Sequence, residues 1–201
     1  MDELARLAGR NASKAQEQLA RAADAFAAGR ERDALRILRP LRDAYPDAAA
    51  VRELIGLAHY RIGNYDAAAK ELEAFVEVTG SVEQHPVLMD AARAKRRYSR
   101  VDALWRELAA SSPSAPLVSE GRIVLAGSLA DRGRLRDAIA TLERRGTEVA
   151  RVQPHHLRLW YALADLYERA GDIPRARQLF ERVRKHEAGF ADVAERLAAL
   201  R

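Results

Sequence analysis

The chain has 201 residues, 48% of them hydrophobic and 31% charged, with a formal net charge of +5 and no cysteine. That balance is too apolar for a disordered chain and too charged for a membrane protein, and the missing cysteine excludes disulfides and thiolate metal sites. The basic excess is weak evidence for an anionic partner: Lys14, Lys70, Lys95 and Lys185 are the only lysines among 34 cations, and an arginine- and alanine-rich composition points to a GC-rich genome before it points to phosphate recognition.

The N-terminal stretch MDELARLAGRNASKAQ carries charges throughout and has no apolar core, so it does not read as a signal peptide. No run approaches the roughly 18 apolar residues of a membrane span. The expected setting is cytoplasmic, without a membrane partner. Strand signals are nearly absent. From about residue 12 onward, Leu, Ala and aromatic residues recur at helical spacing, interrupted by Gly, Pro and Ser-Pro.

The interruptions form a pattern. GRERDALRIL begins at Gly29, GNYDAAAKEL at Gly63, GRLRDAIATL at Gly133 and GDIPRARQLF at Gly171. In each, Ala follows the Gly five residues on (Ala34, Ala68, Ala138, Ala176), and a large apolar residue follows four later (Leu38, Leu72, Leu142, Phe180). A further helical signature precedes Gly63, Gly133 and Gly171: Ile55, Gly56 and His59; Leu125, Ala126 and Leu129; Trp160, Leu163, Ala164 and Tyr167. Pro46 and Pro113 stand where a second helix should stop. Small residues suit the close crossing of two helices, and Gly suits the left-handed turn between them.

This unit resembles the tetratricopeptide repeat family, whose pattern is W-x2-L-G-x2-Y, then A-x3-F, then P. The last unit matches best, with Trp160, Leu163, Ala164, Tyr167, Ala176 and Phe180 in register. The resemblance implies an all-α fold, an α-solenoid wound as a right-handed superhelix, in which stacked hairpins bury faces that one hairpin cannot bury alone. The whole chain, 1–201, then reads as one domain of about five repeats, 15–48, 49–81, 82–115, 119–152 and 157–190, with a C-terminal capping helix at 191–200. APLV and VQPHH read as short insertions. In the cap, Val193, Leu197 and Leu200 form the packing face, while Asp192, Glu195 and Arg196 are expected to point away.

The third repeat is degenerate. RAKRRYSRVDALW, residues 93–105, packs five cations into eight positions, yet counting from Gly63 and Pro113 makes it an inter-helix turn. Arg96 takes the place of the Gly, Tyr98 that of Tyr65, Val101 that of the Ala and Trp105 that of Phe180. Its first helix is expected to start at Pro86. Lys95, Arg96, Arg97 and Arg100 at this turn, with Arg132, Arg134 and Arg136 at the next, would align as a basic ridge in a stacked array. Asp102, Asp131 and Asp137 lie among them and partly neutralise it.

Catalytic motifs are missing: there is no HExxH, P-loop, G-x-G-x-x-G or G-x-S-x-G pattern, and no cofactor is expected. His59 occupies an aromatic packing position, and Glu71 and Glu73 read as helix-surface charges. The reading is therefore a non-enzymatic protein-interaction scaffold. The family resemblance places the concave face on the first helix of each repeat. There it nominates Leu19, Ala23, Phe26, Glu53, Leu57, Tyr60, Asp90, Arg93, Ile123, Gly127, Arg158, Tyr161 and Asp165, a mixture suited to a peptide or helix of another protein. The Lys/Asn/Arg set with which some members clamp a C-terminal carboxylate is missing at the matching positions. The alternative is an adaptor for RNA or an acidic partner that uses the basic ridge. Self-association stays open.

Overall fold

The computed structural model describes residues 3–111, 113–144, 149 and 151–200, and every regular element among them is helical. Internal contacts divide the chain into two compact units, Met1–Arg100 and Val101–Arg201. The first holds α1 (Glu3–Ala8), a 3-10 turn (Gly9–Asn11), α2 (Ala12–Ala27), α3 (Glu31–Ala44), α4 (Ala49–Arg61), α5 (Tyr65–Thr79), α6 (His85–Ala94) and the start of α7 (Tyr98–Ala110). The second holds the rest of α7, then α8 (Ala115–Asp131), α9 (Leu135–Glu143), α10 (Pro154–Arg169), α11 (Ile173–His186) and α12 (Val193–Ala199).

The turns follow from one local motif. Gly29, Gly63, Gly133 and Gly171 all have positive φ, between 70° and 78°. At each, the next residue's N–H reaches back across the turn, as in Asn64 to the His59 carbonyl at 2.9 Å and Asp172 to Tyr167 at 2.9 Å. The turn without Gly closes identically. Arg96 adopts φ 55°, and Arg97 donates to the Ala92 carbonyl at 2.8 Å. The basic stretch is thus the expected inter-helix turn, made at the cost of placing a Cβ in the left-handed region.

Close crossings occur where small residues were expected. A Cβ on Gly56 would lie 2.5 Å from Leu72 Cγ, so α4 and α5 meet at hydrogen-atom distance. Ala164 and Ala176 are fully buried between α10 and α11, under Trp160, Leu163 and Phe180. Gly121 makes a second close approach that its sequence context did not reveal: a Cβ there would lie 2.3 Å from Leu108 Cδ2, with Trp105 beside it. The core of the first unit gathers Leu35, Leu38, Leu41, Val51 and Ile55. The termini of α3 and α7 fall short of Pro46 and Pro113, and Pro86 lies in the first turn of α6.

Several expectations are corrected. Helix begins before residue 12: α1 buries Leu4 and Ala8 against the first unit's core, and the Ala49 N–H donates to Glu3 at 3.1 Å. APLV, expected as a short insertion between repeats, is helical and forms the first turn of α8, where Pro116 is tolerated. Most of VQPHH likewise belongs to α10, whose first residue is Pro154. Of the repeat expected at 119–152, residues 145–148 and 150 lie outside the described residues.

Glu71 is not a surface charge. It is 4% exposed and receives Arg42 Nη1 from α3 at 3.0 Å and Arg52 Nη1 from α4 at 2.6 Å. Two guanidinium groups supply the hydrogen bonds that make burial of that carboxylate tolerable. His59 is half-buried as a packing residue. Burial and the Arg39 charge hold its imidazole below the usual range.

Candidate functional site

The nominated residues of the first unit form a bonded network rather than a row of free side chains. Tyr60, near the end of α4, donates its hydroxyl to Asp90 of α6 at 2.6 Å. The other oxygen of Asp90 accepts from Arg93 Nε at 2.9 Å, one helical turn on. Burial first, and then the Asp90 hydrogen bond, push the Tyr60 phenol well above its ordinary range, so it stays a neutral donor. Glu53 accepts from Gln84 Nε2 at 2.7 Å, and Leu57 is half-buried between these polar pairs. Toward the N-terminus, Leu19 and Phe26 pack on the core. Arg61 covers the Phe26 ring with its guanidinium carbon 3.7 Å from the centroid, while Ala23 is exposed.

The second unit repeats the arrangement with different residues. Tyr161 of α10 packs against Phe180 and Phe190, with ring centroids 5.4 and 5.6 Å away, and donates its hydroxyl to Asp192. Its phenol is pushed up to about 12, first by burial and then by that bond. Asp165 accepts from Arg196 Nη2 at 2.7 Å, and the same group reaches Glu168 at 2.8 Å. Asp192 and Arg196 therefore turn toward α10 instead of away from it, because the carboxylates and phenol there provide their partners. Val193 and Leu197 are buried as expected, and Leu200 packs against the core. Arg158 pairs with Glu120 at the more exposed edge, and Ile123 packs against the core beside the half-buried Gly127.

Gln84, Glu120, Glu168, Asp192 and Arg196 belong to this face and were not nominated. A signal for most of them exists in the spacing. Glu53–Gln84, Tyr161–Asp192 and Asp165–Arg196 are each 31 residues apart, and Tyr60–Asp90 is 30 apart. A repeat near 34, less about one helical turn, is the distance at which a side chain on one first helix meets the next.

The seven cations of the proposed ridge are mostly answered locally. Asp66 takes Lys95 Nζ at 2.9 Å and Arg97 at 2.8 Å; the Lys95 hydrogen bond, before the Arg97 charge, holds its carboxyl below the usual range. Arg100 meets Glu73 at 3.1 Å. In the second unit, Arg132 forks both oxygens of Asp102 at 2.9 Å, and Arg134 meets Asp137 at 2.7 Å, while Arg96 and Arg136 are exposed. Tyr98 is half-buried, and Trp105 lies against Gly121, so neither offers an open ring for base stacking. Among the described residues, no three His, Cys, Asp or Glu side chains are grouped to hold a metal ion, and no helix is long and apolar enough to cross a membrane.

Comparison with known proteins agrees with the helical-hairpin fold. One family model described as tetratricopeptide repeat matches residues 129–200, and a second matches 19–80. No curated protein matches the sequence. Among solved structures, a thermophilic TPR protein of Thermus thermophilus is 17% identical over 92% of this chain and 98% of its own, with TM-score 0.69. TPR-like repeats of a putative kinesin light chain from Podosopora anserina are 20% identical over 94% and 97%, also with TM-score 0.69. The pilF protein of Pseudomonas aeruginosa is 16% identical over 92% and 83%, with TM-score 0.62. At such identities the likeness is one of fold: all-α, of the helical-hairpin solenoid class.

Proposed function

The chain belongs to the tetratricopeptide repeat family, and from that premise we propose that it is a protein-interaction scaffold whose first helices receive a peptide or helix of another protein. Proteins of this family are generally non-enzymatic scaffolds. The observation that supports the finer reading is the network on those helices. Tyr60, Asp90 and Arg93 in one unit are joined by hydrogen bonds to one another, and in the other unit Tyr161 and Asp165 of α10 are held by Asp192 and Arg196 of the capping segment. Side chains already ordered lose less entropy on binding. Tyrosine and arginine are also the residue types that dominate interface energetics. The RNA-binding alternative finds less support, because carboxylates face Lys95, Arg97, Arg100, Arg132 and Arg134.

The test is affinity purification from the host, with and without nuclease, on the wild type and on Tyr60→Ala combined with Arg158→Ala. We expect nuclease-resistant protein partners, weakened in the double variant by about 1 kcal/mol or more per anchor, with helicity unchanged. Capture that vanishes with nuclease, or that is indifferent to both substitutions, would refute the concave-face reading.

A further inference from the structure

A different surface of the second unit carries a charge arrangement that the first-helix network does not use. Gln178, Arg182 and Lys185 lie on one stripe of α11, four and then three residues apart, and line an open cleft of about 570 Å³ together with Val149 and Glu181. Arg182 is held in place: its guanidinium carbon lies 3.9 Å from the centroid of the Trp160 ring, which is 1% exposed and fixed in the core. Glu181, the acid nearest in sequence, is already bonded to Arg177 at 3.1 Å. Among the described residues, neither Arg182 nor Lys185 is paired with a carboxylate. This contrasts with the turn cations Lys95, Arg97, Arg132 and Arg134, each of which is.

We propose that this cleft recognises an acidic segment of a partner protein, with Arg182 and Lys185 each receiving a carboxylate. A guanidinium stacked on an indole keeps its edge donors free and its orientation fixed, which suits the bidentate geometry of a carboxylate. The lysine one turn away offers a second charge on the same stripe, its Cβ about 5–6 Å from that of Arg182, the spacing of helical neighbours. Nucleic acid fits less well: the cleft presents two cations rather than a track, and Trp160 is sealed beneath Arg182, so no ring is open for a base. The surface is separate from the first-helix face, and its occupation does not depend on the reading of that face.

The experiment measures fluorescence anisotropy of a labelled hexaglutamate peptide at moderate salt. Arg182→Gln combined with Lys185→Gln is compared with a charge-matched control, Arg32→Gln combined with Arg39→Gln, two exposed cations of α3 that line no such cleft. We expect the α11 variant to lose about tenfold or more in affinity, as when paired charges are removed from a recognition site, and the control to bind as the wild type does. Lys185→Glu alone, at an exposed position that leaves the Trp160 stack intact, should lose at least as much affinity as Lys185→Gln alone. Equal weakening in the α11 and α3 variants would reduce the effect to the overall positive charge and overturn the proposal. So would a single-stranded RNA that displaces the peptide at lower concentration than unlabelled hexaglutamate does.

Discussion

The buried carboxylate of the first unit permits a sharp test of how its charges are balanced. Glu71 is almost fully enclosed, whereas the side chains of Arg42 and Arg52 remain 30% and 18% exposed. The three residues are therefore not equivalent. If Arg42 and Arg52 are both changed to Met, the carboxylate loses its hydrogen bonds at 3.0 and 2.6 Å and cannot reach water. Stranding a buried charge in this way costs about 3–5 kcal/mol. If Glu71 is changed to Leu, the two guanidinium groups keep other partners. Arg42 bonds Asp43 at 2.8 Å, and Arg52 bonds the Pro46 carbonyl at 2.8 Å. Both can turn to solvent, so the cost should be about 1 kcal/mol or less, offset by the added apolar volume. The triple variant, apolar at all three positions, should return to within about 1 kcal/mol of the wild type or exceed it. Urea denaturation followed by far-UV circular dichroism measures the order. Finding Glu71→Leu the most damaging of the three, or the triple variant worse than the double, would show that the attraction itself, and not the cost of an uncompensated charge, governs this site.

Three further outcomes follow from the geometry. Ala176→Leu should destabilise by about 1–3 kcal/mol through overpacking of the α10–α11 crossing, where Ala176 is fully buried; a melting temperature equal to that of the wild type would place the crossing elsewhere. Arg96→Gly should stabilise by up to about 1 kcal/mol, since Arg96 holds φ 55° at a Cβ cost only partly matched by glycine's greater chain entropy, and an unchanged denaturation midpoint would argue against strain at that turn. The third concerns His156, which accepts the Gln153 N–H at Nδ1 at 2.9 Å and so caps α10 only when neutral. Burial first, then His155 and Arg182, hold its imidazole below the usual value. Its contribution is thus fully present above about pH 6.5 and is lost as pH falls through the lower folded-state value. His156→Gln keeps a capping acceptor without a titrating group. Histidine NMR and denaturation midpoints across this range should show that variant less acid-sensitive, and equal sensitivity would remove His156 from the account.

Much of the fold could be read from the sequence because its determinants are local. A helix needs apolar residues at a spacing of three to four, and a turn needs one residue able to enter the left-handed region. Even the unit without a turn glycine was legible: counting placed Arg96 at that position, and Arg96 occupies it with the same hydrogen bonds as the glycines. Gly56, Ala164 and Ala176 announced their crossings because a small residue in an apolar stripe has few other uses there. The polar contacts were not legible, because a charge on a helix surface carries no record of its partner. Arg42 and Glu71 are 29 residues apart, and Arg52 and Glu71 are 19 apart; only the packing of α3, α4 and α5 turns an apparent surface acid into a buried one. The same holds for Asp192 and Arg196, which look solvated along the sequence and face Tyr161 and Asp165 once α12 is laid against α11, and for Leu4, buried by a short N-terminal helix with too few residues to show a period. Backbone conformation is decided within a turn or two of chain, so the sequence alone determined where helices run and bend. Burial and pairing depend on what a neighbouring helix presents, so the tertiary structure alone decided which charges are enclosed, which are answered, and which, like Arg182 and Lys185, are left facing outward.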